Sequence, residues 1–218
     1  GASTALFYLA GPRALSLLSE LFGIFFDSEA QVHSVEWSGA ALHMMAYRRL
    51  LSEGFLITLP AARAPSFWDF LMKAGASRGI KALSRDVLNV IRIERGVPEF
   101  GVDMNTDSIP LEVGLEGSIS FTKGCYMGQE VICRLKNRGH VNKVLVGLKV
   151  TGREVPALGE AVSLPDKDIG QVSSAVWSLK MNAVLALAVI RESESRPGAK
   201  VLVNFADGVR EAEVVSLA

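Results

Sequence analysis

In the first ninety residues, segments whose apolar residues recur with the period of a strand alternate with segments whose apolar residues recur with the period of a helix. Gly11 and Pro12 open a predicted helix that continues through Phe22, and a second amphipathic helix is predicted over 64–74. Strands are predicted over 5–10, 32–37, 42–47, 55–59 and 80–83. This order predicts an α+β fold in which a ferredoxin-like α/β sandwich occupies about residues 3–90.

The rest of the chain divides into a loop-rich block and a strand-rich block. Residues 85–142 begin with a helical pattern over 87–95 that stops at Gly96. Six short strands with turn signals between them are then predicted over 144–150, 161–164, 169–176, 183–190, 200–205 and 211–215. Strands at this spacing predict a small C-terminal β-barrel. We therefore predict two domains, 1–142 and 143–218.

Composition argues against several classes of function. The 23 lysines and arginines balance 23 aspartates and glutamates, so no general attraction to nucleic acid or acidic membranes is expected. No apolar run approaches the roughly 18 residues needed to cross a bilayer. Cys125 and Cys133 have neither metal-ligand spacing nor a disulfide framework, which favours a reducing compartment. We predict a cytoplasmic protein, or a mitochondrial-matrix protein if the source is eukaryotic.

The segment 123–130 carries the strongest candidate chemistry. Cys125 lies between Lys123 and a helix predicted to begin near Gln129. A cation and a helix N-terminus both stabilise a nearby thiolate, which is the reactive form of cysteine. The alternative is that Cys125 is a small buried residue in a tight turn, and spacing alone favours this alternative because free cysteine is usually buried.

This segment resembles the signature of the YgfZ family of folate-binding proteins, which are relatives of the T-protein (aminomethyltransferase) of the glycine cleavage system. The resemblance continues through residues 92–98, 101–103, 109–112, 114–115, 119–121, 134, 138–139 and 147–148. It implies a T-protein-like folate-binding region before the C-terminal barrel. It also implies that the family's additional N-terminal segment, which contains the aspartate credited with catalysis in T-proteins, has no counterpart here.

The resemblance further implies tetrahydrofolate, or a one-carbon-substituted folate, as the cofactor, and a working thiol at Cys125. Lys123 would tune this thiol, and Gln129 and Glu130 would position it. Arg92 matches the arginine that contacts folate in T-proteins, although a structural salt bridge is an equal alternative.

Three further residues complete the predicted folate site. Tyr126 or Phe121 could stack on the ligand, although either ring more often belongs to the core. Arg134 and Arg138 match the family pattern and would attract the anionic folate tail, whereas a solvated helix end is the alternative. His33 and His43 have no third partner at suitable spacing, so no metal site is predicted.

One position departs from the T-protein pattern. In T-proteins a glutamate follows a Gly-Phe pair and binds the pterin, but here Leu56 follows Gly54 and Phe55. A leucine cannot offer the paired hydrogen bonds that a carboxylate gives to the pterin's amino edge. The departure argues against T-protein-like aminomethyl transfer.

The leading hypothesis is therefore a tetrahydrofolate-binding protein that supports assembly or repair of iron–sulfur enzymes through Cys125, without metabolic turnover. Its expected partners are folate and iron–sulfur client or assembly proteins, with no nucleic acid and no membrane. The alternative is a folate-dependent aminomethyltransferase or demethylase of the T-protein superfamily. A thiol-redox or partner-docking module without folate is the third class.

Overall fold

The computed structural model describes residues 3–28 and 31–216, except for the side chains of residues 137 and 138. The chain forms two compact units, Gly1–Ser84 and Arg85–Ala218. The second unit thus combines the loop-rich block with the barrel. The domain boundary between 142 and 143 stays a prediction.

The first unit is a four-stranded antiparallel sheet with two helices. Its strands are β1 (Thr4–Ala10), β2 (Val32–Trp37), β3 (Ala40–Ala46) and β4 (Gly54–Pro60), and its helices are α1 (Ala14–Phe22) and α2 (Ala64–Gly75). The spatial order of the strands is β1-β4-β3-β2. The strand expected over 80–83 is absent, because these residues have no regular secondary structure and Leu83 is exposed.

The alternation read from the sequence builds the core of this unit. Every second residue of β3 and β4 is buried, among them Leu42 and Ile57, which have no exposed surface. Phe67 of α2 is also fully buried, and its ring lies 5.4 Å from that of Phe7 and 5.1 Å from that of Trp37. Burial of each large apolar side chain contributes roughly 1.5–3 kcal/mol, so this cluster supplies much of the unit's stability.

The second unit contains a closed six-stranded barrel, as predicted. Its strands are β5 (Lys143–Val150), β6 (Ala161–Leu164), β7 (Lys167–Ser178), β8 (Ala183–Arg191), β9 (Lys200–Phe205) and β10 (Gly208–Val215), in the spatial order β10-β5-β8-β7-β6-β9. Each strand pairs antiparallel with its neighbours. Apolar residues such as Leu148, Val162 and Ala186 fill the interior.

Two helices precede the barrel in this unit, α3 (Arg85–Glu94) and α4 (Gln129–Arg138). Helix α3 packs on β7 and β8, where Ile93 meets Leu185 and Leu187 of the barrel wall. Both faces of β8 are therefore buried, one against the barrel interior and one against α3. Across residues 3–28 and 31–216, no helix is long and apolar enough to span a membrane.

Candidate functional site

Arg92 lies at the C-terminal end of α3, where its guanidinium is enclosed by polar partners. Only 7% of the residue's surface is exposed. Its Nε donates to Asn89 Oδ1 at 2.7 Å, and its Nη1 donates to the carbonyl of Val97 at 3.3 Å. Nη1 also donates to Asp103 Oδ2 at 2.6 Å, while Nη2 donates to Ser174 Oγ at 2.7 Å. The guanidinium is thus engaged on all three of its nitrogens.

Asp103 is the centre of this network, and its side chain is completely buried. Besides the Arg92 contact, Oδ2 accepts a hydrogen bond from the backbone N–H of Glu99 at 2.9 Å. Oδ1 accepts hydrogen bonds from the hydroxyls of Ser173 and Ser174, each at 2.6 Å. Buried carboxylates are stable only when paired and hydrogen-bonded, and this one meets both conditions.

A β-bulge explains how two successive serines reach one carboxylate oxygen. Neighbouring residues of a regular strand point to opposite faces, so Ser173 and Ser174 would normally diverge. The register of β7 against β8 shifts between Val172 and Ser174, which leaves Ser173 as the extra residue. Both hydroxyls consequently face Asp103. The network joins α3, the loop after it and the barrel wall.

Glu94 forms a second polar contact between α3 and β7. Ser178 Oγ donates to Glu94 Oε1 at 2.6 Å and accepts a hydrogen bond from the N–H of Met181 at 2.9 Å. Arg92 and Glu94 therefore both contact β7, at Ser174 and at Ser178. The structural salt bridge that was the alternative for Arg92 is present. A contact between Arg92 and folate stays a prediction.

Cys125 lies in the loop before α4 and is exposed to solvent. The alternative that it is buried in a turn is therefore wrong. The loop reaches the helix through Gly128, whose φ of 85° lies in the left-handed region that favours glycine. Lys123 precedes the thiol by two residues, and its backbone N–H donates to Ser120 Oγ at 3.2 Å. The structure thus presents a thiol and a cation on one exposed loop.

Tyr126 is half-buried next to this thiol. The Nζ of Lys123 lies 4.9 Å from the centre of the Tyr126 ring, a favourable position for a cation over an aromatic face. The Tyr126 hydroxyl oxygen is buried and has no hydrogen-bond partner among the residues that the structure describes. A buried hydroxyl without a hydrogen-bond partner costs free energy.

Helix α4 presents the remaining predicted residues. Gln129 is half-buried at its first turn, and Glu130 and Arg134 are exposed and form an ion pair of 2.9 Å. An exposed pair four residues apart on a helix contributes only about 0.3–0.5 kcal/mol. Arg134 can therefore exchange this partner for a ligand at small cost. The side chain of Arg138 lies outside the described residues.

The Gly54, Phe55 and Leu56 positions begin β4, in the first unit. Phe55 belongs to the core, whereas Leu56 is half-buried and has a hydrocarbon side chain at the position of the expected carboxylate. No group of three or more His, Cys, Asp or Glu side chains in 3–28 and 31–216 is arranged to hold a metal ion.

Sequence reasoning missed Asp103 and Ser174 as polar partners of Arg92, and Ser173 as a further partner of Asp103. The only local signal was a pair of successive serines inside a strand otherwise rich in apolar residues. Their partner lies about 70 residues away in the chain, so no short-range pattern indicates the contact.

Two segments of the chain match known protein families. Residues 2–123 match the family described as the GCVT N-terminal domain. Residues 143–218 match the glycine cleavage T-protein C-terminal barrel domain. The α+β fold class with a terminal barrel is thereby confirmed, whereas membership of the YgfZ family in particular is not established.

Relatives and a solved structure agree with this assignment. An aminomethyltransferase of Moorella thermoacetica is 29% identical over 218 residues, which cover 99% of this chain and 59% of that protein. An aminomethyltransferase of Streptomyces avermitilis is 31% identical over 169 residues, covering 76% of this chain and 45% of that protein. The chain thus spans less than two thirds of the length of either relative.

The crystal structure of glycine cleavage system aminomethyltransferase T from Bartonella henselae superposes with a TM-score of 0.83. The sequence identity is 20%, and the match covers 98% of this chain and 59% of that one. At this identity the likeness concerns the fold. Since the N-terminal family match alone covers more than half of the residues, the chain belongs to the glycine cleavage T-protein family.

Proposed function

We propose that this protein binds tetrahydrofolate and acts in folate-dependent one-carbon transfer of the aminomethyltransferase type. The observation that carries the proposal is the match to both T-protein domains, over 2–123 and 143–218. The names of the relatives support the same reaction class. Because the chain covers about three fifths of the Moorella protein, the activity of a whole T-protein is part of the proposal.

The residues near Cys125 fit the anionic part of a folate. Lys123 and Arg134 are exposed cations, and Arg134 is held only by an exposed ion pair. The Tyr126 hydroxyl, buried without a partner in the described part of the chain, offers a hydrogen bond to a bound polar group. Tetrahydrofolate, when bound, supplies the amine nitrogens that accept a one-carbon unit. The protein's own residues would bind its tail and orient its ring.

Arg92 has a positioning role in this proposal. Its guanidinium is committed to Asp103, Ser174 and Asn89, so it holds α3 on the barrel whether or not a ligand is present. Leu56 stands where the T-protein pattern has a glutamate that binds the pterin, and its side chain has no hydrogen-bonding group. We therefore expect weaker pterin binding than in T-proteins with a glutamate at this position.

A second candidate rests on Cys125. Cys125 is exposed, and it lies near Lys123 in a segment that resembles the YgfZ signature. These features favour a function in which the protein supports iron–sulfur enzymes through this thiol. Gln129 and Glu130 at the start of α4 would position the loop. Cluster binding normally takes four ligands, so a single thiol would need ligands from a client or assembly protein. A cytoplasmic location stays a prediction under either candidate.

Calorimetric titration with tetrahydrofolate tests the common part of both candidates. We expect saturable binding, which Arg134→Ala weakens and Leu56→Glu strengthens, because the second change restores a carboxylate for the pterin edge. Lys167→Ala, an exposed cation on the barrel, is the matched control for Arg134 and leaves the affinity unchanged. Absence of binding heat for every form would refute folate binding.

Cys125→Ser then separates the two candidates. In the transferase, folate-dependent formation of the one-carbon product persists in the variant, because no step of that reaction needs this thiol. In the iron–sulfur candidate, the variant loses its ability to restore activity to a cluster-depleted enzyme while tetrahydrofolate affinity stays unchanged. Each result excludes the other candidate.

A further inference from the structure

Strand β1 lies at one edge of the sheet in the first unit, where the strand order is β1-β4-β3-β2. Two hydrogen bonds at its ends fix which backbone groups it turns outward. The carbonyl of Ser3 accepts from the N–H of Ala61 at 3.0 Å. The N–H of Gly11 donates to the carbonyl of Glu53 at 2.8 Å. Because bonded and non-bonded pairs alternate along an antiparallel pair of strands, the odd-numbered residues of β1 bond to β4. The backbone N–H and C=O groups of its even-numbered residues therefore point away from the sheet.

This outer edge of β1 has none of the features that normally protect an edge strand. Among residues 3–28 and 31–216, no strand pairs with it, and Leu6 in its middle is 63% exposed. A free edge is a template for pairing with another strand, and natural proteins protect such edges with charged side chains or proline. The segment Thr4–Ala10 contains neither. The opposite edge, β2, does contain a charged residue, the exposed Glu36.

The uncharged surface continues from this edge into the sheet. Strands β1, β4 and β3 contain no Asp, Glu, Lys or Arg, although these residues make up 21% of the chain. On the face opposite the core, the register places Tyr8, Leu56 and Met45 next to one another in a row across the three strands. A strand added to β1 would therefore extend an apolar sheet face. It would not bury any charged side chain of these three strands, so pairing carries no cost of charge desolvation there.

We propose that β1 pairs antiparallel with β1 of a second copy of this chain, which gives a two-fold dimer with one continuous eight-stranded sheet. In the symmetric register centred on Phe7, Thr4 of one copy lies opposite Ala10 of the other. Both residues turn their backbone groups outward, so they can exchange hydrogen bonds. The same register sets Leu6 beside Tyr8 of the second copy, which covers the exposed apolar side chain. A two-fold contact uses the same surface on both copies, and an uncharged edge meets itself without opposing like charges. The edge is thus self-complementary, which favours a second copy as its partner. The inference goes beyond folate binding and does not depend on it.

Sedimentation velocity of the 218-residue chain over a range of concentrations, without folate, tests the proposal. We expect a reversible equilibrium between monomer and dimer. Leu6→Lys should weaken the association by about tenfold or more, because the two-fold symmetry introduces the charge twice at the paired edge. Leu6 is exposed, so the replacement should leave the monomer folded. Val32→Lys is the matched control, since Val32 is 57% exposed on β2, at the other edge of the same sheet, and this change should leave the association unchanged.

Amide hydrogen exchange measured residue by residue distinguishes strand pairing from association through the open face of the sheet. The outward amides of Thr4 and Ala10 should exchange more slowly as the chain concentration rises, and this dependence should be lost in Leu6→Lys. The amide of Phe7 is bonded to β4, so its exchange should change little with concentration. A chain that stays monomeric at every concentration, an equal loss of association in Val32→Lys, or a dimer without added protection at Thr4 and Ala10 would each overturn the proposal. Tetrahydrofolate affinity is measured separately, so failure of folate binding does not affect this outcome.

Discussion

Replacing Asp103 by alanine should destabilise the second unit severely. The side chain has no exposed surface and accepts four hydrogen bonds of 2.6–2.9 Å, one of them from Arg92. Removing one partner of a buried ion pair costs about 3–5 kcal/mol, because the other charge stays buried. Asp103→Ala leaves the Arg92 guanidinium with a single carboxylate partner, that of Glu99, 3.2 Å from its Nε.

The expected loss in the free energy of unfolding is large compared with the total stability of a domain, which is about 5–15 kcal/mol. In a unit of 134 residues, from Arg85 to Ala218, it corresponds to a fall in Tm of about 10–20 °C. The expected effect concerns the second unit, so the fluorescence signal should come from that unit alone. Trp177 is its only tryptophan, and Trp37→Phe with Trp68→Phe removes the other two.

Urea unfolding followed by Trp177 fluorescence measures this loss. Asp107→Ala is the control, since this exposed carboxylate lies four residues away and should change the free energy of unfolding by no more than about 0.5 kcal/mol. The double replacement Arg92→Met and Asp103→Leu should recover part of the loss, because it removes both charges. A loss below about 1 kcal/mol in Asp103→Ala would refute the reasoning that the buried pair holds α3 on the barrel.

Three further predictions follow from local geometry. Gly54→Ala should destabilise the first unit by about 1–3 kcal/mol in urea unfolding, because the added Cβ would lie 2.5 Å from the carbonyl oxygen of Tyr47. An unchanged free energy of unfolding would contradict this packing. Ile93→Ala should cost about 2–5 kcal/mol, since Ile93 is fully buried against the barrel wall, and Trp177 fluorescence would report it. The hydrogen bond from Lys200 lowers the pKa of Glu213 below its ordinary value. This pair therefore stabilises the folded state above the pKa of an unperturbed glutamate, and the contribution is lost as pH falls through the lowered pKa of the folded state. Urea unfolding of Glu213→Gln should accordingly differ from the parent at neutral pH and converge with it in acid, and a constant difference would exclude the linkage.

The barrel could be predicted from sequence because its information is local. Each strand is a short run rich in apolar residues with a turn signal near its end, so the six predicted strands lie within a few residues of the observed ones. The strand prediction over 80–83 was wrong because it too used only local information. Its apolar residues resemble a short strand, but only a partner strand could make it one, and none pairs with it in the described structure.

The candidate site could be predicted only in part. The spacing of Lys123 and Cys125 indicated a reactive thiol but could not decide its exposure, which depends on how the loop packs before α4. The network of Arg92 depends on a bulge and on partners 11 and 82 residues away. Such contacts arise from tertiary packing, so they have no periodic signal in the sequence.

The bulge in β7 has a consequence for where this protein can be divided. A fragment of residues 143–218 would keep every barrel strand but would uncover the hydroxyls of Ser173 and Ser174 and the outer apolar wall at Leu185 and Leu187. Such a fragment would be prone to aggregation, since a hydrophobic wall normally sealed by α3 would face water. The smallest autonomous piece of the C-terminal half should therefore begin near Arg85, because a cut at residue 143 would separate parts that pack together in one compact unit.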